Sequence, residues 1–169
     1  NNKNYYMEKQ FVQHPGIADG TVSDLDLLAA VCDSEAGDQG LVGMEAVALC
    51  VLNCTIDVDK DFPSQIRYVV YQGKPTQYAV VTDGALLKRL NGQFEDRTNA
   101  YAAAKAAMEI FNNYVNRGTK RTLPGFSAKD FNYKYFMTPA AFQAQNLNFS
   151  KLEYEQYKGH VFFVDWIVG

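Results

Sequence analysis

Glu35 is the residue whose type and position best suit acid–base chemistry. It ends the first strongly apolar segment, and Val31 lies four residues before it, on the same face of a helix. A carboxylate there interrupts an apolar stripe, and burial raises the pKa of a glutamic acid toward neutrality. A general acid needs such a pKa, whereas an ordinary surface glutamate does not. The pattern therefore marks Glu35 as a candidate general acid.

Two apolar helices must position this carboxylate. Ser23 is a suitable N-cap, so the first helix is predicted to run from Asp24 to Ala36, with Gly37 as its stop. Apolar residues at helical spacing predict a second, core helix from Gly40 to Cys54. Glu35 then lies at the junction of the two helices.

The remaining pattern predicts mostly helix and a small sheet. Further helices are predicted at 62–71, 83–90, 98–116 (with Thr98 as the cap) and 138–145. Alternating Phe131, Tyr133 and Tyr135 predict a strand, as does the extended pattern from His160 to Trp166, with a loop at 146–158 between them. The predicted fold class is α+β, predominantly helical, with a small β element.

Length and composition fit one compact domain. The chain has 169 residues, of which 47% are hydrophobic. Residues 1–22 lack sustained periodicity and are predicted to be a lead segment, and 23–169 to be a single domain. The polar start at Asn1 is consistent with a chain that has lost a signal sequence or was cut from a longer one.

Charge and cysteine content exclude several classes of function. The net charge of −3 and the lack of a basic, aromatic-rich patch argue against a nucleic-acid partner. No transmembrane segment is predicted. Three cysteines are too few for a disulfide framework, and Cys50 and Cys54 have metal-ligand spacing but no partners. We therefore predict no metal and no cofactor, while the oligomeric state is not indicated.

Several short motifs occur in a consistent order along the chain and together carry a family resemblance. They are Glu35-Ala36-Gly37, Gly43-Met44, Ala46-Val47-Ala48, Val51-Leu52-Asn53, Phe62-Pro63, Ile66, Val69-Val70-Tyr71-Gln72, Gln77-Tyr78, Tyr135-Phe136-Met137-Thr138-Pro139 and Gly159-His160-Val161-Phe162. This series resembles the bacterial cell-wall hydrolases that include spore-cortex lytic enzymes, over about residues 24 to 165.

The resemblance implies a lysozyme-like fold and a peptidoglycan substrate. The implied reaction cleaves glycan strands between N-acetylmuramic acid and N-acetylglucosamine, outside the cytoplasm, in the cell wall or the spore cortex. Glu35 matches the family's catalytic glutamate. Motif positions around the sugar groove are matched by Gln77, Tyr78, Thr138 and His160.

Three positions depart from the family pattern. Gln39 stands where a second acidic residue is frequent, Cys54 where an arginine commonly follows the asparagine, and Thr138 where asparagine often precedes the proline. Of these, the change at Thr138 bears on ligand contacts. The departures bear on substrate binding more than on activity, since Glu35 is intact.

The mechanism depends on whether a second carboxylate faces Glu35 across the scissile bond. Two-carboxylate glycosidases hold their acids about 5 to 9 Å apart across the scissile bond. The candidates are Asp33, Asp38, Glu45 and Asp83. Asp33 points off another helix face, Asp38 suits the start of the second helix, Glu45 is predicted to be solvated, and Asp83 suits a helix cap. No partner is convincing.

The leading hypothesis is therefore a lytic transglycosylase that works with Glu35 alone. In such an enzyme the C6 hydroxyl of the muramic acid traps the cation, and the products end in 1,6-anhydro-muramic acid. The 2-acetamido group offers an alternative internal nucleophile.

Two rival functions remain open. Cys32 with His160 or His14 could form the thiol site of an amidase or peptidase that cuts the peptide stems. Alternatively, the chain could be a non-catalytic peptidoglycan-binding domain that keeps the fold and an aromatic groove. For His160 itself, a structural place at the start of a buried strand competes with a contact in the groove.

Overall fold

The computed structural model describes residues 13–72 and 78–169. Residues 1–12 of the predicted lead segment lie outside the described residues. Gln77, which is predicted to line the sugar groove, also lies outside them.

The helices position the site, and two of them have the predicted bounds. The described residues form α1 (Pro15–Asp19), α2 (Asp24–Ala36), α3 (Gly40–Cys54), α4 (Gln65–Gln72), α5 (Ala85–Leu90), α6 (Arg97–Arg117) and α7 (Pro139–Gln143), with 3-10 turns at Thr55–Asp57 and Ala79–Val81. The Ser23 hydroxyl caps α2 by accepting from the backbone N–H of Asp26 at 3.1 Å.

The cap of α6 was predicted at the wrong residue. The Asp96 carboxylate, not Thr98, accepts from the backbone N–H of Asn99 at 3.2 Å. The helix therefore begins at Arg97, and Gly118 ends it in the left-handed conformation, with φ of 70°.

Three antiparallel strands form the sheet in the order β1-β3-β2. They are β1 (Tyr135–Met137), β2 (Tyr154–Tyr157) and β3 (His160–Phe163). Tyr135 pairs with Phe163 on one side of the central strand, and Tyr157 pairs with His160 on the other. The α+β, predominantly helical fold class is thereby confirmed.

Two predictions about the sheet were wrong. Residues 146–158 are not all loop, because β2 forms there as a polar edge strand whose burial alternates along its length. Phe131 and Tyr133 lie outside any strand, because their carbonyls accept from the Asn53 side chain, at 3.2 and 2.7 Å, instead of from a neighbouring strand.

The central helix of the core is α3, which packs against α2 and α6. Four alanines of α6, at positions 100, 103, 104 and 107, are buried and allow the helices to approach closely. The segment Gly40–Asp57 is long and apolar enough to cross a membrane, with a mean hydropathy of 1.5, but 67% of it is buried inside the fold. Its place at the centre of the core accounts for this apolar character.

Candidate active site

Glu35 lies in the last turn of α2, which ends in a tight turn toward α3. The backbone N–H of Gly37 donates to Asp33 O at 3.0 Å, and that of Gln39 donates to Ala36 O at 2.9 Å. Gly37 has a helical φ of −58°, so it is not a left-handed stop. Glycine is needed there for space, because a Cβ would lie 2.6 Å from Asp33 O and 2.8 Å from Glu95 Oε2.

The carboxyl group of Glu35 is suited to proton transfer near neutral pH. The side chain is half-buried at the end of the helix. Loss of hydration raises the pKa of Glu35 to about 7, and the negative charge of Asp83 contributes to the increase. A protonated carboxyl group is therefore well populated at neutral pH, as a general acid requires.

Asp83 is the one of the four candidate carboxylates whose charge acts on Glu35. It does cap α5, since its Oδ1 accepts from the backbone N–H of Ala85 at 2.8 Å. It also lies close enough to Glu35 for its charge to act on that carboxyl group. Its side chain is exposed. Asp83 therefore both caps α5 and acts on Glu35 through its charge.

The other three carboxylate candidates have different environments. Asp33 is 1% exposed and pairs with Arg89 Nε at 2.8 Å. Asp38 is exposed and accepts from the side-chain amide of Gln39 at 2.8 Å. Glu45 was predicted to be solvated but is only 8% exposed, because α3 is enclosed by its neighbours, and burial raises its pKa.

Tyr78 adds a buried hydroxyl beside the site. The residue is 2% exposed, and its hydroxyl has no hydrogen-bond partner among residues 13–72 and 78–169. Burial raises its pKa well above the usual value, with smaller effects from Cys54, Cys50 and then Glu35, so the hydroxyl stays protonated. Such an orphaned group costs free energy until a ligand or water pairs with it, typically about 1 to 3 kcal/mol.

His160 is connected to Tyr78 through Phe136. The Tyr78 and Phe136 ring centroids lie 6.0 Å apart, and those of Phe136 and His160 lie 5.3 Å apart. His160 is the first residue of β3 and is 9% exposed. Burial lowers its pKa, and the charge of Asp38 opposes that effect. Tyr78, Phe136 and His160 thus form one connected group, and the charge of Glu35 acts on Tyr78.

Thr138 has a structural role as a helix cap. It is exposed and follows β1, and its hydroxyl accepts from the backbone N–H of Ala141 at 3.2 Å as the N-cap of α7. A contact between Thr138 and the glycan stays a prediction.

The cysteines do not form a nucleophilic site. Cys32 is fully buried, its thiol donates to Met44 O at 3.4 Å, and burial raises its pKa far above the usual range. A reactive thiol needs a lowered pKa and access to substrate. Cys54 is half-buried and donates to Lys134 O at 3.3 Å. Within the described ranges, no three His, Cys, Asp or Glu side chains are grouped to hold a metal ion.

Sequence reasoning missed Phe136 as part of this site, and it weighed Asp83 as a partner for Glu35 but set it aside as a helix cap. Phe136 stood inside the Tyr135–Met137 motif, but nothing in its spacing showed that it contacts both Tyr78 and His160. For Asp83 the sequence favoured the cap over a place beside Glu35. Its nearness to Glu35 depends on how α5 packs on α2.

Replacing Asp83 by Asn is expected to lower the pKa of Glu35. The negative charge that favours the protonated acid is lost, while the amide oxygen of Asn still caps α5. The alkaline limb of the pH profile of kcat/KM should move to lower pH by about half a unit, since the charge is exposed and screened. Burial, the larger cause, keeps the pKa of Glu35 above that of a free glutamic acid.

Asp59→Asn is the matched control for this prediction. Asp59 is also exposed, and it caps a turn through the backbone N–H of Asp61 at 2.9 Å. Its substitution should leave the pH profile unchanged. An alkaline limb that stays in place in Asp83→Asn, or that moves equally in both variants, would contradict the electrostatic role of Asp83.

Comparison with known proteins identifies a family. The family model described as Cell Wall Hydrolase matches residues 38–163, which is most of the chain. Searches of curated proteins and of solved structures gave no match. Glu35 lies just before the first matched residue, whereas Tyr78, Thr138 and His160 lie within the match. On this match, the chain belongs to the cell wall hydrolase family.

Proposed function

We propose that this protein cleaves the glycan strands of peptidoglycan between N-acetylmuramic acid and N-acetylglucosamine, as a lytic transglycosylase. Membership in the cell wall hydrolase family supports an enzyme that acts on peptidoglycan, and therefore outside the cytoplasm. The observation that carries the choice of glycan over peptide is the half-buried carboxyl group of Glu35, with its pKa of about 7.

The proposed first step uses Glu35 as the acid. Its proton goes to the glycosidic oxygen, the bond from that oxygen to C1 of the muramic acid breaks, and positive charge develops on the sugar ring. Asp83, whose charge acts on the same carboxyl group, favours the protonated form of Glu35 before this step.

The second step returns the proton. The C6 hydroxyl of the muramic acid attacks C1 and gives its proton to the carboxylate of Glu35, which restores the starting enzyme. No water is consumed, and the product is a 1,6-anhydro ring. The nucleophile is tethered to the reacting sugar, and tethering of this kind is worth an effective molarity on the order of 10⁵ M in favourable geometries.

Tyr78 and His160 are the proposed glycan contacts. The hydroxyl of Tyr78 is buried, protonated and unpaired in the described part of the chain, so a sugar oxygen that accepts from it would remove the cost of leaving it unpaired. His160 lies on the other side of Phe136, where its imidazole can orient a hydroxyl or acetamido group. Gln77 and Thr138 remain proposed contacts through the resemblance alone.

The product is expected to identify the reaction. Purified sacculi digested with the protein should release muropeptides that end in 1,6-anhydro-muramic acid. These ends weigh one water less than reducing ends and resist borohydride, so mass spectrometry before and after reduction distinguishes them.

Three other outcomes would each contradict the proposal. Borohydride-reducible muramic acid ends would indicate hydrolysis with water as the nucleophile, and would make Asp83 a candidate base. Free peptide stems with intact glycan strands would indicate an amidase or peptidase. Binding to sacculi with no released fragments would indicate a non-catalytic binding domain.

A further inference from the structure

The turn between β2 and β3 is attached to the end of the Glu35 helix by one residue, Gln39. The backbone N–H of Gly159 donates to Gln39 Oε1 at 2.8 Å, and Lys158 Nζ donates to the backbone oxygen of Gln39 at 3.0 Å. Gln39 is four residues after Glu35, and Gly159 immediately precedes His160. One residue therefore joins the segments that carry Glu35 and His160.

Two glycines make room for the Gln39 side chain. A Cβ at Gly43 would lie 2.5 Å from the Cβ of Gln39, and one at Gly159 would lie 2.9 Å from its Nε2. Real Cβ atoms are not found this close to other heavy atoms. Lys158, in the same turn, has a φ of 48° and is the only non-glycine residue with positive φ in the described ranges. The turn and Gln39 therefore fit one another closely.

The contacts specify an amide at position 39. Gly159 supplies a donor and so needs an oxygen, whereas Asp38 Oδ1 accepts from Gln39 Nε2 at 2.8 Å and so needs a donor. A carboxylate at position 39 could satisfy Gly159 but would repel Asp38. An apolar side chain of the same length could satisfy neither.

His160 depends on this attachment for its surroundings. The groups that face its ring are Phe136 and Phe162, with centroids at 5.3 and 6.0 Å, and the charge of Asp38. Asp38 is held by Gln39, and the chain leading into His160 is held by the same side chain. If this contact is lost, we expect both the burial of His160 and its distance from Asp38 to change.

We propose that Gln39 is a positioning residue that fixes His160 relative to Glu35 by holding the β2–β3 turn against the junction of α2 and α3. The inference rests on the proposed function in so far as His160 contacts the glycan. Its effect on the geometry of His160 can be measured without any substrate.

The experiment compares Gln39→Met and Gln39→Glu by NMR and kinetics. The chain has two histidines, so a His14→Ala background leaves His160 as the one imidazole signal to titrate. In the unchanged protein His160 should titrate below the usual value of 6.5. In Gln39→Met its pKa should rise toward that value, because the loss of burial, the larger cause, outweighs any loss of the Asp38 charge. In Gln39→Glu it should rise because a carboxylate is added. We expect kcat on sacculi to fall about tenfold in Gln39→Met, with KM less affected.

Gln143→Met is the control, because Gln143 is an exposed glutamine that lies outside α2, α3 and the β2–β3 turn. It should change neither the His160 titration nor kcat. An unchanged titration in both Gln39 variants would overturn the proposal, whether or not the protein cleaves glycan. A lower melting temperature with normal titration and normal kcat would also overturn it. Gln39→Asn keeps the amide but is one methylene shorter than Gln39 and adds no charge, so it decides the question if Gln39→Met does not fold.

Discussion

Glu35→Gln is expected to lower cleavage of sacculi by about 100-fold or more. The amide keeps the shape and the hydrogen-bonding reach of the side chain but has no proton to give to the leaving oxygen. The measurement is the rate of muropeptide release per folded molecule. A well-folded Glu35→Gln variant that remains active would contradict the catalytic role of Glu35.

The stability of the same variant provides an independent check. Glu35 has a pKa of about 7 in the folded protein against an ordinary value of 4.5, so its ionisation costs folding free energy. That cost is absent below pH 4.5, where both states are protonated, and is fully present above about pH 7. The Glu35→Gln variant should therefore melt at the same temperature as the parent in acid and at a higher temperature at neutral pH and above.

Glu45→Gln is the matched control for catalysis. Glu45 is also a buried glutamate with a raised pKa, and it lies on α3, next to the helix that carries Glu35. The same change there should leave the rate of muropeptide release within a few-fold of the parent. If Glu45→Gln were inactive and Glu35→Gln active, the acid would have to be reassigned.

The sequence predicted the two site helices because their signals are local. Ser23, the apolar stripes and the glycines near position 37 lie within or beside the helices they delimit. Glu35 could be singled out for the same reason, because a carboxylate that continues an apolar stripe is visible within a few residues. The likeness to lysozymes stays a prediction, since no solved structure matched.

What the sequence could not predict depends on contacts between distant segments. The second strand, Tyr154–Tyr157, has a polar edge-strand pattern that becomes recognisable only beside β3. Glu45 was expected in solvent, although its part of α3 proved to be buried. Asp83 lies near Glu35 because α5 packs on α2. An ion pair between two residues 56 positions apart in the chain helps to hold these helices together.

That ion pair joins Asp33 and Arg89, and breaking it should strongly destabilise the fold. The carboxylate of Asp33 accepts three donors: Arg89 Nε at 2.8 Å and the backbone N–H groups of Glu95 and Asp96, both at 2.7 Å. Its side chain is fully buried, and that of Arg89 is 15% exposed. The carboxylate thus joins the end of α2 to α5 and to the start of α6.

Asp33→Asn is expected to lower the free energy of unfolding by about 3 to 5 kcal/mol, as removal of one partner from a buried pair does. Asn has nearly the shape of Asp but only one acceptor oxygen, so its NH₂ group must face at least one of the three donors. The Arg89 charge also loses its buried counter-ion. Urea unfolding, with the midpoint and slope compared between variants, measures the loss.

Glu153→Gln tests whether burial, and not ion pairing as such, causes this loss. Glu153 pairs with Lys129 at 2.9 Å, a distance close to that of the buried pair, but both side chains are about half exposed. Exposed pairs contribute about 0 to 1 kcal/mol, so this variant should unfold near the parent midpoint. A loss in Asp33→Asn no larger than that in Glu153→Gln would mean that α2, α5 and α6 are held together by apolar packing alone. In that case Asp33 would have no part in placing Asp83 beside Glu35.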